Sequence, residues 1–418
     1  MQRVLDIFYE ISKIPHCSCN TASLLKYIAN FALLNGYEVF VDNAKNILAR
    51  LNNPKICLQS HYDMVCIGET DNLEIVSDEK YISAKNSTLG ADNGIGVAIM
   101  LALIEEKVDA EFLFTNDEEV GLIGAKNLKL DIKSKAILNL DSEEESGIFI
   151  GCAGGFDFEA KIPLEGCSVK PKRLKKISTM NFLGGHSGIE IDKNIPNAIK
   201  ELLFFIKQND MKLLHISGGE RRNSIPVNAQ AIVDARSDIC STHNFLVEDL
   251  NDGDLTLYDC SKLSTFLLSF PTGVRSWNKE FGIPNDSINL ATIKIENDIA
   301  ILNISGRSMD NESLEKLKIE TKEFFDGYEI MISDEYPAWR PENTEFAKKV
   351  LQIYSQENKN AQLKVIHAGL ECGVLKNVLK GVDAVSIGPN IFLPHTKNEK
   401  VEINSIFRVF KIIKKIIK

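Results

Sequence analysis

The sequence FLFTNDEEVG, residues 112–121, predicts a short apolar strand that runs directly into three consecutive acids and then a glycine. Three adjacent carboxylates at the end of a buried strand repel one another and are costly to remove from water. A divalent metal ion would compensate this charge, because one carboxylate could ligate the metal while its neighbour takes a proton from metal-bound water. The alternative is a solvated acidic loop, which describes most Asp/Glu runs. Ligand-type residues at other predicted strand ends favour the metal interpretation.

Polar groups that can ligate a metal recur where other predicted strands end. The apolar strand Lys55–Gln59 leads into SHYD at residues 60–63, and the strand Ala136–Leu140 leads into Asp141. A later apolar strand precedes His395. Open α/β sheets bind ligands at the carboxyl ends of their strands, and strands that alternate with helices form parallel pairs. The sequence therefore predicts an α/β fold with a mostly parallel sheet flanked by helices.

A glycine-studded turn, STLGADNGIGVA at residues 87–98, opens a predicted helix that runs to about Glu106. Its spacing fits neither the dinucleotide-binding fingerprint nor the Walker loop, which argues against a phosphate-binding role. Asp92 lies at the mouth of this helix, where an aspartate is commonly an N-cap. A metal-binding role for Asp92 is the alternative, and only the other candidate ligands support it.

The candidate ligands together suit a pair of zinc-like ions. They are His61, Asp92, Glu119, Asp141 and His395. Two imidazoles and three carboxylates provide one bridging carboxylate and two further ligands for each ion. Magnesium and calcium sites rarely use two histidines, and a single zinc ion would leave two ligands over. Two ions roughly 3.5–4 Å apart can share a hydroxide and polarise a carbonyl, which is hydrolytic chemistry.

Length and charge limit the classes to which the chain can belong. A chain of 418 residues is too long for one ordinary core, so two domains are expected. The formal net charge of -10 argues against nucleic acid or an anionic membrane surface as a partner. No stretch approaches the roughly 20 apolar residues that a membrane-spanning helix needs. Longer alternating strands interrupt the strand-end pattern, which predicts a catalytic domain of residues 1–154 and 340–418 with an inserted α+β domain of residues 155–339.

The cysteines and the N-terminus indicate a reducing cytoplasm. Nine cysteines, an odd number, are scattered without a regular framework, so most are expected to be buried thiols. Asp6 lies where a secretory signal would need its apolar core. His16, Cys17 and Cys19 could form a small metal site, but lone pairs of cysteines of this kind usually do not bind metal.

Several motifs together resemble the dinuclear zinc exopeptidases, which include carnosinase, tripeptidase T and glutamate carboxypeptidase. These motifs are His-x-Asp at 61–63, GADNG at 90–94, DEE at 117–119, the strand-terminal Asp141, GGHSG at 184–188 and the late His395. The stretches most similar to the bacterial aminoacyl-histidine dipeptidases are TLGADNGIG at 88–96, DSEEE at 141–145, GCAGG at 151–155 and HAGLECG at 367–373. The resemblance covers both halves of the predicted catalytic domain and is poor across residues 240–300. The inserted domain looks shorter than is typical of the group.

The resemblance implies a role for each candidate ligand. Asp92 becomes the bridging ligand between two ions. Glu119 and His395 bind one ion, and His61 and Asp141 bind the other. The implied cofactor is two zinc ions per chain, with cobalt or manganese as alternatives.

The resemblance also implies how the reaction proceeds. Glu118 becomes the general base that acts on the bridging water and returns the proton to the leaving amine. Asp63 becomes the acid that orients His61, as metal-bound imidazoles usually require. Two adjacent glutamates can divide these tasks because backbone geometry lets neighbours point in different directions.

Residues of the inserted domain, a lid and dimerisation domain in the relatives, are implied to complete the site in a homodimer. His186 would reach the partner's active site and stabilise the tetrahedral oxyanion; the alternative is a turn histidine bonded to local backbone. Arg307 and Asn223 would hold the substrate carboxylate, for which an arginine fork is suited, although Asn223 could instead only shape its turn. His367 and Glu371 would line the pocket, where Glu371 could meet a substrate ammonium.

These expectations together support a cytoplasmic dinuclear zinc metallo-dipeptidase. The expected substrates are small peptides, above all Xaa-His dipeptides such as carnosine. Because metal ligands do not set side-chain preference, a broader di- or tripeptidase or an aminoacylase is an alternative. A non-catalytic binding protein on this fold is a further alternative, which nothing in the sequence favours since every ligand and the base are present.

Overall fold

The chain divides into two compact units. The structure, a computed structural model, describes residues 2–168, 170–250 and 256–418. The first unit contains Met1–Cys152, Trp339–Val365 and Leu370–Lys418, and the second contains Ala153–Ala338 and Ile366–Gly369. The short segment Ile366–Gly369 therefore packs with the second unit, although the sequence placed it in the first.

The N-terminal part of the first unit alternates helices with short strands. Helix α1 is amphipathic: Leu5, Phe8 and Ile11 are buried on one side. Helix α3 is buried on nearly all sides, as expected for a helix rich in alanine, glycine and branched aliphatic residues that lies in the middle of the unit. In chain order the elements are α1 (Gln2–Ile11), α2 (Ala22–Leu34), β1 (Glu38–Val41), β2 (Ile47–Arg50), β3 (Ile56–His61), β4 (Ile75–Ser77), β5 (Tyr81–Ala84), α3 (Ala91–Glu105), β6 (Glu111–Thr115), α4 (Ile123–Lys126), β7 (Ala136–Asn139) and β8 (Gly147–Cys152).

The second unit is built from longer strands that alternate between buried and partly exposed positions. This alternation is clearest in β9, and it predicts a sheet with one face packed on a core. The elements are β9 (Gly154–Pro163), β10 (Leu174–Thr179), β11 (Gly185–His186), α5 (Ala198–Gln208), β12 (Lys212–Gly218), β13 (Ser224–Ile225), β14 (Ala229–Asp234), β15 (Phe245–Asp249), α6 (Ser261–Ser269), β16 (Gly273–Asn278), β17 (Ile283–Glu296), β18 (Ile299–Ser308), α7 (Asn311–Phe324) and β19 (Glu329–Tyr336).

The C-terminal part returns to the first unit and ends in an amphipathic helix. Lys411 and Lys415 of that helix pair with Glu357, so its basic end is a salt-bridged surface. Of the helices that the structure describes, none is long and apolar enough to cross a membrane. The elements are α8 (Glu345–Glu357), β20 (Gln362–Ile366), α9 (Glu371–Val378), β21 (Asp383–Ser386), β22 (Ile391–Phe392), β23 (Lys400–Glu402) and α10 (Ile403–Ile417).

The main sheet of the first unit is mixed rather than mostly parallel. Among the described residues its strand order is β1-β2-β6-β3-β7-β21-β8-β20. The central pairs β6/β3, β3/β7 and β7/β21 are parallel, whereas β1/β2, β2/β6 and β21/β8 are antiparallel. The antiparallel side begins with a tight hairpin in which Asp42 N–H donates to Asn46 O, and such a hairpin reverses the strand direction. The prediction of a parallel sheet is thus correct for the centre and wrong for the edges.

The sheet of the second unit is antiparallel. Among the described residues its order is β15-β10-β14-β12-β17-β18-β9-β19, with β16 paired to β17. Helices α5, α6 and α7 pack against it around a core that contains Phe158, Leu202, Leu302 and Phe325. The predicted α+β character of this part of the chain is therefore present.

A disulfide joins Cys17 to Cys66, which corrects the expectation of free thiols for this pair. The bond ties the segment after α1 to the segment after β3. It also removes the suggested metal site, because Cys17 Sγ is bonded to sulfur and His16 Nδ1 lies 2.6 Å from the carbonyl oxygen of Ile14. The free cysteines are Cys19, Cys57, Cys152, Cys167, Cys240, Cys260 and Cys372.

We expect unfolded, unreduced protein to take up seven alkyl groups and reduced protein to take up nine, as measured by intact-mass spectrometry. The paired cysteines are 49 residues apart. In the chain-entropy model the loss of such a crosslink, in Cys66→Ser, costs roughly 4 kcal/mol of stability. Cys19→Ser removes an exposed thiol and is the matched control, which should leave the unfolding midpoint unchanged. Nine alkyl groups without reductant would contradict the pairing.

Candidate active site

The parallel strands bring three of the predicted ligand positions to one edge of the sheet. His61 is the last residue of β3, Glu119 follows the end of β6, and Asp141 follows the end of β7. Because these strands are parallel, their carboxyl ends lie side by side. Asp92 lies in the first turn of α3, where its backbone is extended (φ −82°, ψ 106°). His395 lies in the loop between β22 and β23.

Asp92 lies between the two histidines. Its Oδ1 is 3.2 Å from His61 Nε2 and its Oδ2 is 3.1 Å from His395 Nε2. Asp141 Oδ1 is 3.3 Å from His61 Nε2, and Glu119 Oε1 is 2.9 Å from His395 Nε2. The five residues thus form two groups of three that share Asp92, and within each group the nearest ligand atoms lie within 4.8 Å of one another.

The donor set fits a pair of divalent cations. Each group offers one imidazole nitrogen and carboxylate oxygens, the mixture that zinc-type ions prefer. Without cations the acids are poorly solvated: burial raises the pKa of Glu118 well above its ordinary range, and burial together with Asp92 raises the pKa of Glu119 to about 7. Burial lowers the pKa of His395, but the hydrogen bonds with Asp92 and Glu119 outweigh burial and raise this pKa to about 12. Positive charge is therefore favourable in both groups.

Asp63 holds the acidic loop as well as the histidine. Its Oδ1 accepts the backbone N–H of Glu118 at 2.9 Å, and its Oδ2 accepts the backbone N–H of Glu119 at 3.3 Å and the hydroxyl of Ser18 at 2.8 Å. His61 Nδ1 lies 3.0 Å from the backbone oxygen of Asp63 and 3.5 Å from its carboxylate. The nearer partner of the imidazole is thus the main chain, while the carboxylate mainly fixes the backbone that carries both glutamates.

Two residues near the ligands were not identified from the sequence. Glu399 is buried, and its carboxylate accepts the backbone N–H groups of residues 89–92. Asn93 donates its side-chain amide to the carbonyl of Leu140 at 3.1 Å and to the carboxylate of Asp141. These bonds connect segments far apart in sequence, so local patterns carry no signal for them; the proximity of Glu399 to His395 in the chain was the one available hint.

Glu371 lies in the interior of the first unit and is fully buried. Its Oε2 accepts the hydroxyl of Thr115 at 2.6 Å and the side-chain amide of Gln59. Burial raises its pKa to about 7. One oxygen of this carboxylate is therefore held by two protein donors, and the substrate contact predicted for Glu371 stays a prediction.

The predicted substrate-binding residues of the second unit lie close together around Gly188. A side chain on Gly188 would lie 2.4 Å from the backbone oxygen of His367 and 3.1 Å from Arg307 Nε and from His186 Cε1. Asn223 is adjacent, because its backbone oxygen accepts the N–H of Ser187 at 2.9 Å. Only glycine therefore allows these groups to approach this closely.

The side chains in this cluster have defined partners. His186 Nδ1 accepts the backbone N–H of Gly188 at 3.1 Å and of Ile189 at 3.0 Å, which leaves the proton of a neutral ring on Nε2. Arg307 donates to the hydroxyl of Tyr336 at 2.7 Å. His367 Nε2 lies 2.7 Å from the hydroxyl of Ser287, and burial together with the charge of Arg307 lowers its pKa to about 3. His367 is therefore a neutral, buried group.

Comparison with known proteins identifies related chains over the whole length. The model of peptidase family M20/M25/M40 matches residues 57–418. The cytosol non-specific dipeptidase of Escherichia coli is 30% identical over 472 aligned residues, which cover 100% of this chain and 97% of the relative. The crystal structure of aminoacylhistidine dipeptidase from Vibrio alginolyticus is 27% identical with a TM-score of 0.78, covering 99% of this chain and 96% of that one. Human carnosine dipeptidase 1 shares the fold at 12% identity, with a TM-score of 0.58 and coverage of 100% and 96%.

We expect Asp63→Asn to weaken metal binding by about 10- to 100-fold, because the amide replaces an acceptor of a backbone N–H by a donor. Competition with a chromogenic chelator measures the affinity. Ser18→Ala is the matched control: it removes only the hydroxyl that donates to Asp63, a hydrogen bond of roughly 1 kcal/mol. Equal affinities of the two variants would refute the role of the Asp63 carboxylate in holding the acidic loop.

Proposed function

The chain belongs to peptidase family M20/M25/M40, and on this premise we propose that it is a metal-dependent dipeptidase that cleaves Xaa-His dipeptides such as carnosine. The observation that carries the proposal is the position of Asp92, whose two carboxylate oxygens face two different histidines. A carboxylate in this position is suited to bridge two ions, which is the arrangement that dinuclear hydrolases use. The similarity to a dipeptidase over the whole chain supports the substrate class.

The two groups of ligands would each hold one ion. His61 and Asp141 would bind the first ion, Glu119 and His395 the second, and Asp92 both. Zinc suits the mixture of imidazole and carboxylate, with cobalt or manganese as alternatives. When bound, such a pair supplies Lewis-acid activation of water and of the scissile carbonyl.

Glu118 would act as the general base. Glu119 is directed towards His395, whereas a carboxylate oxygen of Glu118 lies within 4.8 Å of the ligand atoms of His61 and Glu119. From this position Glu118 can accept a proton from the attacking water and deliver it to the nitrogen of the leaving amine. Asp63 would fix the backbone N–H groups of Glu118 and Glu119, so that the two side chains can hold different positions and perform different tasks.

The cluster in the second unit would bind the peptide. Arg307 would hold the substrate carboxylate through its guanidinium fork, with Asn223 beside it. His186 would donate its Nε2 proton to the oxyanion, because Nδ1 is already an acceptor of backbone N–H groups. His367 would shape the pocket as a neutral residue bonded to Ser287.

The protein would act as a homodimer through the second unit, with His186 serving the partner's site. Support comes from β15, which among the described residues is an edge strand of the sheet. Leu246 on this strand and Phe204 on α5 are exposed, as is Leu183. Exposed apolar residues at a sheet edge are typical of an interaction surface.

The cytoplasm is the proposed location, since the relative in Escherichia coli is named a cytosol dipeptidase.

A broader di- or tripeptidase is the second candidate function, because that relative is named non-specific. An aminoacylase or a non-catalytic binding protein are more distant alternatives. Rates on carnosine, Leu-Gly, a tripeptide and an N-acyl amino acid, measured before and after chelation, separate these candidates. Turnover of carnosine well above the others supports the Xaa-His preference, and comparable rates on both dipeptides support the broader enzyme.

We expect Glu118→Gln to retain two metal ions and to lose about 10²- to 10⁴-fold in kcat, because the amide cannot accept the water proton. Glu119→Gln is the matched neighbour and should lose metal, since it weakens the group that contains His395. Elemental analysis measures the metal content, and dipeptide hydrolysis measures the rate. Near-normal turnover by metal-replete Glu118→Gln would refute the proposed base.

We expect His186→Ala and Glu118→Gln, each inactive alone, to regain activity when their subunits are mixed. If His186 serves the partner's site, each mixed dimer has one site with both groups intact, so a random mixture should reach about a quarter of wild-type activity. Each variant taken alone through the same dissociation and reassociation is the control. No recovery, although mixed dimers are detected by mass spectrometry, would contradict the exchange of His186 between subunits.

A further inference from the structure

The carboxylate of Glu399 is surrounded by main-chain donors. Its Oε2 accepts the N–H of Leu89 at 2.8 Å and of Gly90 at 3.2 Å. Its Oε1 accepts the N–H of Ala91 at 2.8 Å and of Asp92 at 3.3 Å. Glu399 is 2% exposed, so water contributes little to its solvation. Four consecutive N–H groups therefore compensate a buried charge that would otherwise be costly.

These donors belong to the turn that carries the shared ligand Asp92. On its other side the turn is held by main-chain partners after β3: Thr88 N–H donates to Ile67 O at 3.0 Å, and the Thr88 hydroxyl donates to Val65 O at 2.7 Å. Gly90 has a φ of +70°, a conformation that glycine adopts without strain. The turn is thus fixed from two sides, and Glu399 is the side-chain anchor on one of them.

Glu399 also belongs to the loop that carries His395. The loop is compact, because Glu399 N–H donates to Thr396 O at 3.2 Å and the Thr396 hydroxyl donates to Leu393 O at 2.8 Å. Directly after Glu399, β23 pairs with β5, the strand that precedes the Asp92 turn. One carboxylate therefore connects the backbone of two ligands of the same ion.

We propose that Glu399 is a positioning residue for the metal pair: it fixes the Asp92 turn against the His395 loop so that the two oxygens of Asp92 face His61 and His395. The inference rests on the proposed function, since it concerns the same ligands. It goes further by making the affinity for both ions depend on a residue that contacts neither ion. Loss of this anchor would leave Asp92 less firmly positioned. Because both ions share Asp92, the affinity for each ion would fall.

The test compares zinc binding to the refolded apo forms of the wild type, Glu399→Gln and Glu111→Gln. Glu111 is the matched control, because it is also fully buried and accepts main-chain N–H groups, those of Lys133 and Ser134, at the start of β6. In Glu399→Gln a side-chain NH₂ group replaces one carboxylate oxygen, so two backbone N–H groups of the turn face a donor instead of an acceptor. We expect its zinc affinity, measured by chelator competition, to fall by about 10- to 100-fold at both ions.

Unfolding midpoints of the apo proteins separate positioning from general stability. Glu399→Gln and Glu111→Gln should both have lower unfolding midpoints than the wild type, but Glu111→Gln should keep wild-type zinc affinity. Glu399→Asp, which keeps the charge on a shorter side chain, should lie between the wild type and Glu399→Gln, and it carries the test if Glu399→Gln does not fold. Unchanged zinc affinity in the folded Glu399 variant would overturn this inference alone. A wild-type chain that binds neither zinc nor cobalt nor manganese would overturn the proposed function as well.

Discussion

The mutual repulsion and desolvation of acidic groups at one edge of the first unit's sheet are the constraint on which the site depends. Carboxylates that would avoid one another in water are brought within a few ångströms because β3, β6 and β7 run in parallel and end together. Two imidazoles between them lower the cost only in part, since the pKa of Glu118 stays far above its ordinary range. Bound cations would complete the charge balance. Glu118, Glu119 and Asp141 follow these strands, and Asp92 joins them from the first turn of α3.

Like charges held this close repel one another, so the backbone that carries them must be fixed in place. Two further buried carboxylates fix it, and neither belongs to the two groups of candidate ligands. Asp63 accepts the N–H groups of Glu118 and Glu119, and Glu399 accepts those of the turn before and at Asp92. In both cases an acid holds the main chain of other acids, so the ligand side chains start from fixed points. Precision in a metal site usually depends on such supporting groups.

The parts of this arrangement that could be predicted from sequence are those with a local signal. His61 and Asp141 follow apolar runs of strand length, so the sequence predicted their positions at strand ends. The start of the helix at Asp92 was marked by a distinctive glycine pattern. The antiparallel edges of the sheet were missed because apolar runs do not encode strand direction. The bonds of Glu399 and the Cys17–Cys66 pairing were missed because they link distant segments, and no alternation or spacing reports on such links.

The residues proposed to bind the peptide belong to a different unit from the residues proposed to bind metal. His186, Arg307 and His367 meet around Gly188, whereas His61, Glu119 and Asp141 lie at or after the ends of parallel strands. The two sets therefore belong to units with separate hydrophobic cores. Under the proposed function, metal binding would depend on the charge balance among the acids and histidines of the first unit. Under the proposed function, substrate preference would depend on the side chains that meet around Gly188 in the second unit. Under this proposal, a substitution around Gly188 would change the peptides that are cleaved without changing a candidate metal ligand.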